Sequence, residues 1–322
     1  MQRLFYVRLV AGCVILAALF VQVGVSEAAQ ALSEAKAPLV VLAVVLNIPI
    51  LALAAGRSAI LLHHQGYRSP PDVLLSAATL GFAAGSLTPA AAGELLRVQA
   101  LNKYAGVPIR ASLTLVLFER LVSFYLLCLT AGVTASVLFL PWQRAAPIAT
   151  LLVAASILPA YASRALALLP LSKDRQVGAN ARARRFLRRT AAEIEGITKA
   201  GPSLPLASGL TVAIFALVAL QFYLLAESIG AEITVLVACF GFSFSQIAGI
   251  VSMLPIGVAD GSLTAVLAEF GVSAHAAIAI ALLVRVAISL PLLIAALVTH
   301  VYLSVRGVEL QSTPPSQWEA RS

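Results

Sequence analysis

Hydrophobic residues form long uninterrupted stretches, which short polar or charged segments separate. A helix that crosses the apolar interior of a bilayer needs about 20 such residues. We predict six full transmembrane helices, at residues 4–25, 38–62, 111–140, 145–169, 204–226 and 274–305. After the first stretch, Ala29-Gln30-Ala31 resembles a signal-peptidase site. The apolar run is longer than a usual signal core, so we expect a retained helix, with cleavage as the alternative.

Two further segments, hairpin one (residues 72–110) and hairpin two (residues 233–273), are interrupted by glycine and proline. A full crossing by the 16 residues 73–88 would place the basic residues after them outside the cell. A hairpin that enters and returns keeps these residues inside, so we predict two re-entrant helical hairpins. The expected turn residues are Pro89, Gly93, Pro255, Gly257 and Gly261. Because residues 233–254 are long enough to cross fully, an eight-span chain is the alternative.

Residues 86–120 and 252–285 are two copies of one pattern. In both copies an acid follows a proline by five residues, and an arginine follows the glycine of a Gly-Val pair by fourteen. The matching residues are Pro89, Glu94, Gly106, Val107 and Arg120 in the first copy and Pro255, Asp260, Gly271, Val272 and Arg285 in the second. Three predicted spans separate the hairpins, and an odd number inverts the second copy. The pattern predicts an all-α polytopic membrane protein with an inverted repeat, which is typical of transporters.

Composition and charge support this prediction. The chain of 322 residues is 60% hydrophobic and 11% charged, whereas soluble proteins have roughly 25% charged residues. Nine Lys/Arg and three Asp/Glu lie within residues 164–199, so one loop carries +6 of the net charge of +8. The positive-inside rule makes this loop cytoplasmic, with both termini on the same side. The clustered charge therefore indicates a membrane surface and argues against nucleic acid as a partner.

The basic loop, residues 170–203, repeats apolar residues at helical spacing opposite arginines. We predict an amphipathic helix on the anionic inner leaflet, an anchor rather than a specific lipid sensor. The arginines expected at the membrane surface are Arg182, Arg184, Arg185, Arg188 and Arg189. Residues 1–306 are expected to form one integral-membrane domain. Residues 307–322 are expected to form a disordered cytoplasmic tail, too short for a soluble catalytic domain.

Arg120 and Arg285 each lie roughly 15 Å into a predicted helix, near the middle of the bilayer. A central arginine costs on the order of 2.5–3.5 kcal/mol, so both must be paired or functional. In one hypothesis they bind a lipid phosphate, Arg97 binds the headgroup on the cytoplasmic side, and Glu94 and Asp260 orient the arginines or exchange protons. In the other, Glu94 pairs with Arg120 and Asp260 with Arg285, which locks each hairpin to the helix that follows it.

Enzymatic motifs are missing from the sequence. The three cysteines have no metal or disulfide spacing, and the glycines form no phosphate-binding loop, so we expect no metal, no cofactor and no ATP-driven pump. A polytopic lipid-modifying transferase and a non-transporting partner subunit of a lipid or glycan synthase are the alternatives to a transporter. The pattern leaves the oligomeric state open.

Pro89, Gly93-Glu94, Arg97 and Glu119-Arg120 resemble motifs of the lysylphosphatidylglycerol synthase transmembrane (flippase-like) family. That family has Pro-x-x-x-Gly-Glu, followed by Glu-Arg on the next helix. The segment from Pro255 to Gly261 resembles its second, glycine-rich turn, with Asp260 in place of glutamate. The resemblance extends over nearly the whole chain. It implies a bacterial inner-membrane protein that moves phospholipids, or polyprenyl- or sterol-like lipids, between leaflets. Members that aminoacylate a lipid carry a soluble transferase domain, which we expect this chain to lack.

Overall fold

The computed structural model describes residues 33–87, 90–155, 203–252 and 257–312, and these ranges are helical without any strand. The helices are α1 (Ala37–Val45), α2 (Asn47–His64), α3 (Pro71–Leu87), α4 (Ala90–Ala105), α5 (Ile109–Phe139), α6 (Trp142–Ala155), α7 (Ser203–Ser228), α8 (Val235–Ser252), α9 (Val258–Glu269), α10 (Ala274–Val284) and α11 (Leu290–Ser312). A π-helical turn, Arg285–Ser289, joins α10 to α11.

Five helical segments of the described residues are long and apolar enough to cross a membrane. They are Ala37–His64, Ile109–Phe139, Pro205–Ser228, Val235–Ser252 and Ala274–Leu303. Four of these correspond to predicted full spans, and the fifth, α8, lies in hairpin two. The predicted helix at residues 4–25, the end of the 145–169 stretch, and the surface arginines of the basic loop lie outside the described residues.

Each predicted hairpin contains a pair of helices. The α3 and α4 helices of hairpin one pack along each other, as do α8 and α9 of hairpin two. A buried apolar cluster that includes Leu61, Val73, Leu101, Leu115 and Leu303 attaches the first pair to α2, α5 and α11. A second cluster packs the other pair against α5, α7 and α10. Pro89 and Pro255, two of the expected turn residues, lie outside the described residues.

The Gly-Val pairs of the repeat end equivalent helices. Gly106 follows α4 with φ of +67°, and Gly271 follows α9 with φ of +84°. Side chains with a Cβ avoid this left-handed region, which explains the glycine in both copies. The N–H of each following valine bonds back to a leucine carbonyl: Val107 to Leu101 at 3.3 Å, and Val272 to Leu267 at 3.0 Å. A glycine in the left-handed region therefore precedes the next helix after each hairpin.

The last helix is longer than the sequence pattern predicts. The predicted last span ends at residue 305, and α11 runs to Ser312. Gly307 is a poor helix former but does not end the helix, and the first strong breaker is the Pro314-Pro315 pair. In the middle of α11, Tyr302 donates a hydrogen bond of 2.8 Å to Asp72 at the start of α3.

Candidate functional site

The acid of hairpin one pairs with the arginine of the next helix. Arg120 Nε donates to Glu94 Oε1 at 2.5 Å, and Nη2 contacts the same oxygen. Glu94 lies in α4, and Arg120 follows Ile109, the first residue of α5, by eleven residues. The Arg120 side chain is 45% exposed, although it lies inside an apolar helix, and the Glu94 side chain is only 10% exposed.

The acid of hairpin two makes the equivalent pair. Arg285 Nε and Nη2 donate to the two carboxylate oxygens of Asp260, at 3.0 and 2.8 Å. Arg285 follows Ala274, the first residue of α10, by eleven residues, as Arg120 follows Ile109. Arg285 Nη1 also donates to the backbone carbonyl of Ser86 in α3, at 3.2 Å. Asp260 in turn accepts the N–H of Gly257 at 3.0 Å. Arg285 therefore connects hairpin two to hairpin one.

A buried ionic cluster lies next to the first pair. Glu119 Oε2 lies 2.6 Å from Arg97 Nη1 and 3.1 Å from Arg57 Nη2. Its other oxygen lies 3.0 Å from Ser58 Oγ, which accepts a hydrogen bond from Arg97. Arg97 Nη1 is also 3.7 Å from Glu94 Oε2. Through Arg97 the buried cluster reaches the Glu94–Arg120 pair, so the two form one charge network.

Polar groups from other helices complete this cluster. Arg57 Nη1 donates to Thr211 Oγ1 of α7 at 3.0 Å and to Ser123 Oγ of α5 at 3.3 Å. Since an unpaired charge in a low-dielectric interior is strongly disfavoured, these contacts explain how Arg57 remains buried. The cluster thereby ties α2, α4, α5 and α7 together behind hairpin one.

Gly93 lets the two arms of hairpin one touch through their backbones. A Cβ at this position would lie 2.6 Å from the backbone nitrogen of Gly85 and 2.7 Å from the carbonyl oxygen of Gly81. A Cβ at Gly81 would lie 3.3 Å from Arg97 Cδ. Gly93 and Gly81 therefore let α4 approach α3 closely, at the turn of α4 that carries Glu94 and Arg97.

The structure brings together four of the five predicted binding residues as two pairs, and it places the fifth, Arg97, in the buried cluster. The structure contains the pairs of Glu94 with Arg120 and of Asp260 with Arg285, which were one of the two hypotheses drawn from the sequence. Arg97 is buried, with its guanidinium against Glu119. Gly257 lies at the start of α9, where it donates to Asp260, and Gly261 lies in the first turn of that helix.

Sequence reasoning missed Arg57 as a member of the site. Arg57 has no role in the site predicted from the sequence, but it is buried and bonded to Glu119. A signal was present, because Arg57 stands within the apolar stretch 48–62 just as Arg120 and Arg285 stand within theirs. Glu119, which was named from the sequence only as part of the Glu-Arg motif, is the centre of the ionic cluster.

The network has more positive than negative groups. Together with the Asp260–Arg285 pair, the described residues of the network contain four arginines (Arg57, Arg97, Arg120 and Arg285) and three carboxylates (Glu94, Glu119 and Asp260). One positive charge is therefore in excess. Arginine guanidinium groups form paired hydrogen bonds with carboxylate or phosphate oxygens. In the part of the chain that the structure describes, no three His, Cys, Asp or Glu side chains group as metal ligands would. The arrangement is suited to holding an anion.

Comparison with known proteins identifies the family. The sequence profile of the lysylphosphatidylglycerol synthase TM region matches residues 5–296. A search of curated proteins found no match. Because the profile covers most of the chain, the protein belongs to this family, as its motifs suggested. It is therefore a multi-pass membrane protein of a family associated with lipid modification or transport.

Proposed function

We propose that this member of the lysylphosphatidylglycerol synthase TM region family moves an anionic lipid between the two leaflets, a phospholipid or a polyprenyl phosphate. In this proposal Arg120 and Arg285 bind the lipid phosphate. One observation carries the proposal: two arginines stand at equivalent positions of apolar helices, and each keeps exposed surface while its acid is buried. The exposed fractions are 45% for Arg120 and 24% for Arg285, against 10% and 6% for Glu94 and Asp260.

The chemistry of the arginine side chain favours a phosphate ligand. A guanidinium presents several N–H groups in a planar fork that matches two oxygens of a carboxylate or a phosphate. Asp260 already occupies this geometry with both oxygens, and Glu94 accepts both nitrogens of Arg120 with one oxygen. A lipid phosphate can therefore take the place of either carboxylate on its arginine. A planar sterol has no group that would use the fork, which is why we favour a phosphate-bearing lipid over an uncharged one.

Each carboxylate has a second partner that can hold it when the phosphate takes its arginine. Glu94 lies 3.7 Å from Arg97, and Asp260 accepts the N–H of Gly257. This matters because a buried carboxylate without any partner would be strongly destabilised. We propose that Arg97 holds Glu94 in this way and influences the headgroup only through Glu94.

The orientation in the membrane follows from charge. We place residues 170–203 and both termini on the cytoplasmic side, because nine Lys/Arg against three Asp/Glu lie within residues 164–199. The basic loop would then face the anionic inner leaflet and attract anionic lipid to the cytoplasmic membrane surface.

The test is lipid translocation in proteoliposomes that contain the full chain. Fluorescent reporters of an anionic phospholipid, a polyprenyl phosphate and an uncharged sterol would be compared, with a quencher added outside. We expect movement of a phosphate-bearing reporter, and loss of about tenfold or more in Arg120→Ala and in Arg285→Ala, which corresponds to about 1.4 kcal/mol of binding free energy. Arg144→Ala, which changes an exposed arginine in the first turn of α6, is the control and should match the wild type.

Three outcomes would contradict the proposal. Wild-type rates in both folded arginine variants would make the two pairs structural locks. A folded wild type that moves no phosphate-bearing reporter would contradict transport of this lipid class. A chemically modified lipid product would instead support a transferase.

A further inference from the structure

Two of the long apolar helical segments are broken near the same place in the molecule. The segment Ala37–His64 is interrupted at Leu46, between α1 and α2, three residues before Pro49. The segment Ala274–Leu303 is interrupted by the π-helical turn Arg285–Ser289, just before Pro291. The π turn packs against α1, so the two breaks lie side by side.

Pro291 explains the second break. In an α-helix the carbonyl of Ala287 would accept the N–H of residue 291, but proline has no N–H, and its ring crowds the carbonyl four residues earlier. The helix responds by widening, and Leu290 donates to the carbonyl of Arg285 five residues before it. The carbonyl of Ala287 therefore lacks the N–H that would donate to it in an α-helix. A buried carbonyl needs a hydrogen-bond donor.

Asn47 supplies that donor from another helix. Its Nδ2 donates to the carbonyl of Ala287 at 3.0 Å and to the carbonyl of Val44 at 2.9 Å. Both acceptors are carbonyl oxygens, so the nitrogen of the side-chain amide must face them. Gln221 of α7 supports the amide from behind: its Nε2 donates to the carbonyl of Ala43 at 2.7 Å and lies 3.4 Å from Asn47 Oδ1. Asn47 and Gln221 are both buried.

We propose that Asn47 is a positioning residue for Arg285: its amide replaces the N–H that Pro291 lacks and fixes the π turn that aims Arg285 at Asp260 and Ser86. Arg285 is the first residue of this turn, so any relaxation of the turn moves the start of its side chain. Gln221 holds the Asn47 amide in the orientation that the turn requires. The effect of Asn47 on lipid transport through Arg285 rests on the proposed function, but the contact between Asn47 and the carbonyl of Ala287 does not.

The first test is a rescue by Pro291→Ala, measured by thermal unfolding of the full chain in detergent micelles. We expect Asn47→Leu to raise the unfolding equilibrium constant about tenfold, because it leaves a buried carbonyl without a donor. Pro291→Ala in the same chain should restore most of the loss, since alanine at 291 brings a backbone N–H four residues after Ala287. If Asn47→Leu alone does not fold, recovery of folded protein with Pro291→Ala is the same result.

Thr134→Val is the matched control. Thr134 is as buried as Asn47, and its hydroxyl bonds to carbonyls of its own helix, those of Thr130 and Ala131. Pro291→Ala should leave the effect of Thr134→Val unchanged. If Asn47→Leu with Pro291→Ala is as unstable as Asn47→Leu alone, Asn47 acts by packing and the proposal is overturned.

The second test asks whether Asn47 positions Arg285. The coupling between Arg285→Ala and Asp260→Ala in the unfolding constant would be measured in the wild type and in the Asn47→Leu background. We expect a coupling of about fivefold or more in the wild type, a value near one with Asn47→Leu, and recovery with Pro291→Ala. Coupling that persists with Asn47→Leu would contradict the positioning role. Neither test uses lipid movement, so a failure of the transport proposal would be separately visible.

Discussion

Arg285 donates a hydrogen bond of 3.2 Å to the backbone carbonyl of Ser86, which precedes it by 199 residues. Ser86 lies near the end of α3 in hairpin one, whereas the carboxylate partner of Arg285, Asp260, lies in hairpin two. The second acid–arginine pair is therefore more than a lock between one hairpin and its next helix. Through Arg285 the two copies of the repeat meet.

The two arginines should respond differently to lysine. Arg285 directs three nitrogens at three different oxygens, whereas Arg120 directs two nitrogens at one oxygen of Glu94. Lysine keeps the positive charge but lacks the planar fork of N–H groups that a guanidinium presents. We predict that Arg285→Lys lowers the translocation rate by about thirtyfold and Arg120→Lys by about fivefold, because lysine keeps one contact at each site and each lost hydrogen bond is worth about 1 kcal/mol. The measurement is initial rates in proteoliposomes with equal amounts of folded protein, and the reverse order would contradict the geometry.

Gly93→Ala should loosen hairpin one. The added Cβ would lie within 2.7 Å of backbone atoms of Gly85 and Gly81, so α3 and α4 must separate. We predict a loss of about 1–3 kcal/mol in the free energy of unfolding. The matched control is Gly209→Ala in α7, where a Cβ would meet nothing within 4 Å. That change should stabilise the protein by about 0.5–1 kcal/mol. Equal effects of the two substitutions in thermal unfolding would show that the close contact is unimportant.

Glu119→Gln should mainly affect folding. The substitution keeps the shape of the side chain but leaves Arg57 and Arg97 buried without their shared anion. Removing one partner of a buried ion pair costs about 3–5 kcal/mol. We therefore predict a marked decrease in the yield of folded, monodisperse protein after detergent extraction. Glu269→Gln, at the exposed end of α9, should extract like the wild type. Normal yield and thermal stability for Glu119→Gln would contradict the role of Glu119 as the centre of the cluster.

The pairs of the site could be predicted from the sequence because the repeat restricts them. Each acid and each arginine recurs at a fixed offset from a proline or a glycine, and a charge inside an apolar helix must find a partner. Of the acids in the repeat, only Glu94 and Asp260 stand at the same offset from the proline of their copy. Glu94 with Arg120, and Asp260 with Arg285, followed from that reasoning.

The buried cluster and the broken helices could not be predicted in the same way. Arg57 and Glu119 are 62 residues apart, and neither recurs in the second copy of the repeat, so only the packing of α2 against α5 brings them together. Similarly, Pro291 indicates a disturbed helix, but the sequence does not say which donor replaces its missing N–H. That donor, Asn47, is 240 residues away from the carbonyl that it serves. Such contacts depend on tertiary structure, which neither local propensity nor periodicity encodes.

We propose that Arg120 binds a lipid phosphate in addition to locking hairpin one to α5. Lipid translocation in proteoliposomes by the double variant Glu94→Gln/Arg120→Gln separates the two roles. The two amides can hydrogen-bond between α4 and α5, and Arg97 keeps Glu119 at 2.6 Å, but the guanidinium of α5 is removed. We predict that this variant is folded, as judged by thermal unfolding, and moves the phosphate-bearing reporter at about a tenth of the wild-type rate or less. A folded double variant that transports at the wild-type rate would contradict phosphate binding by Arg120.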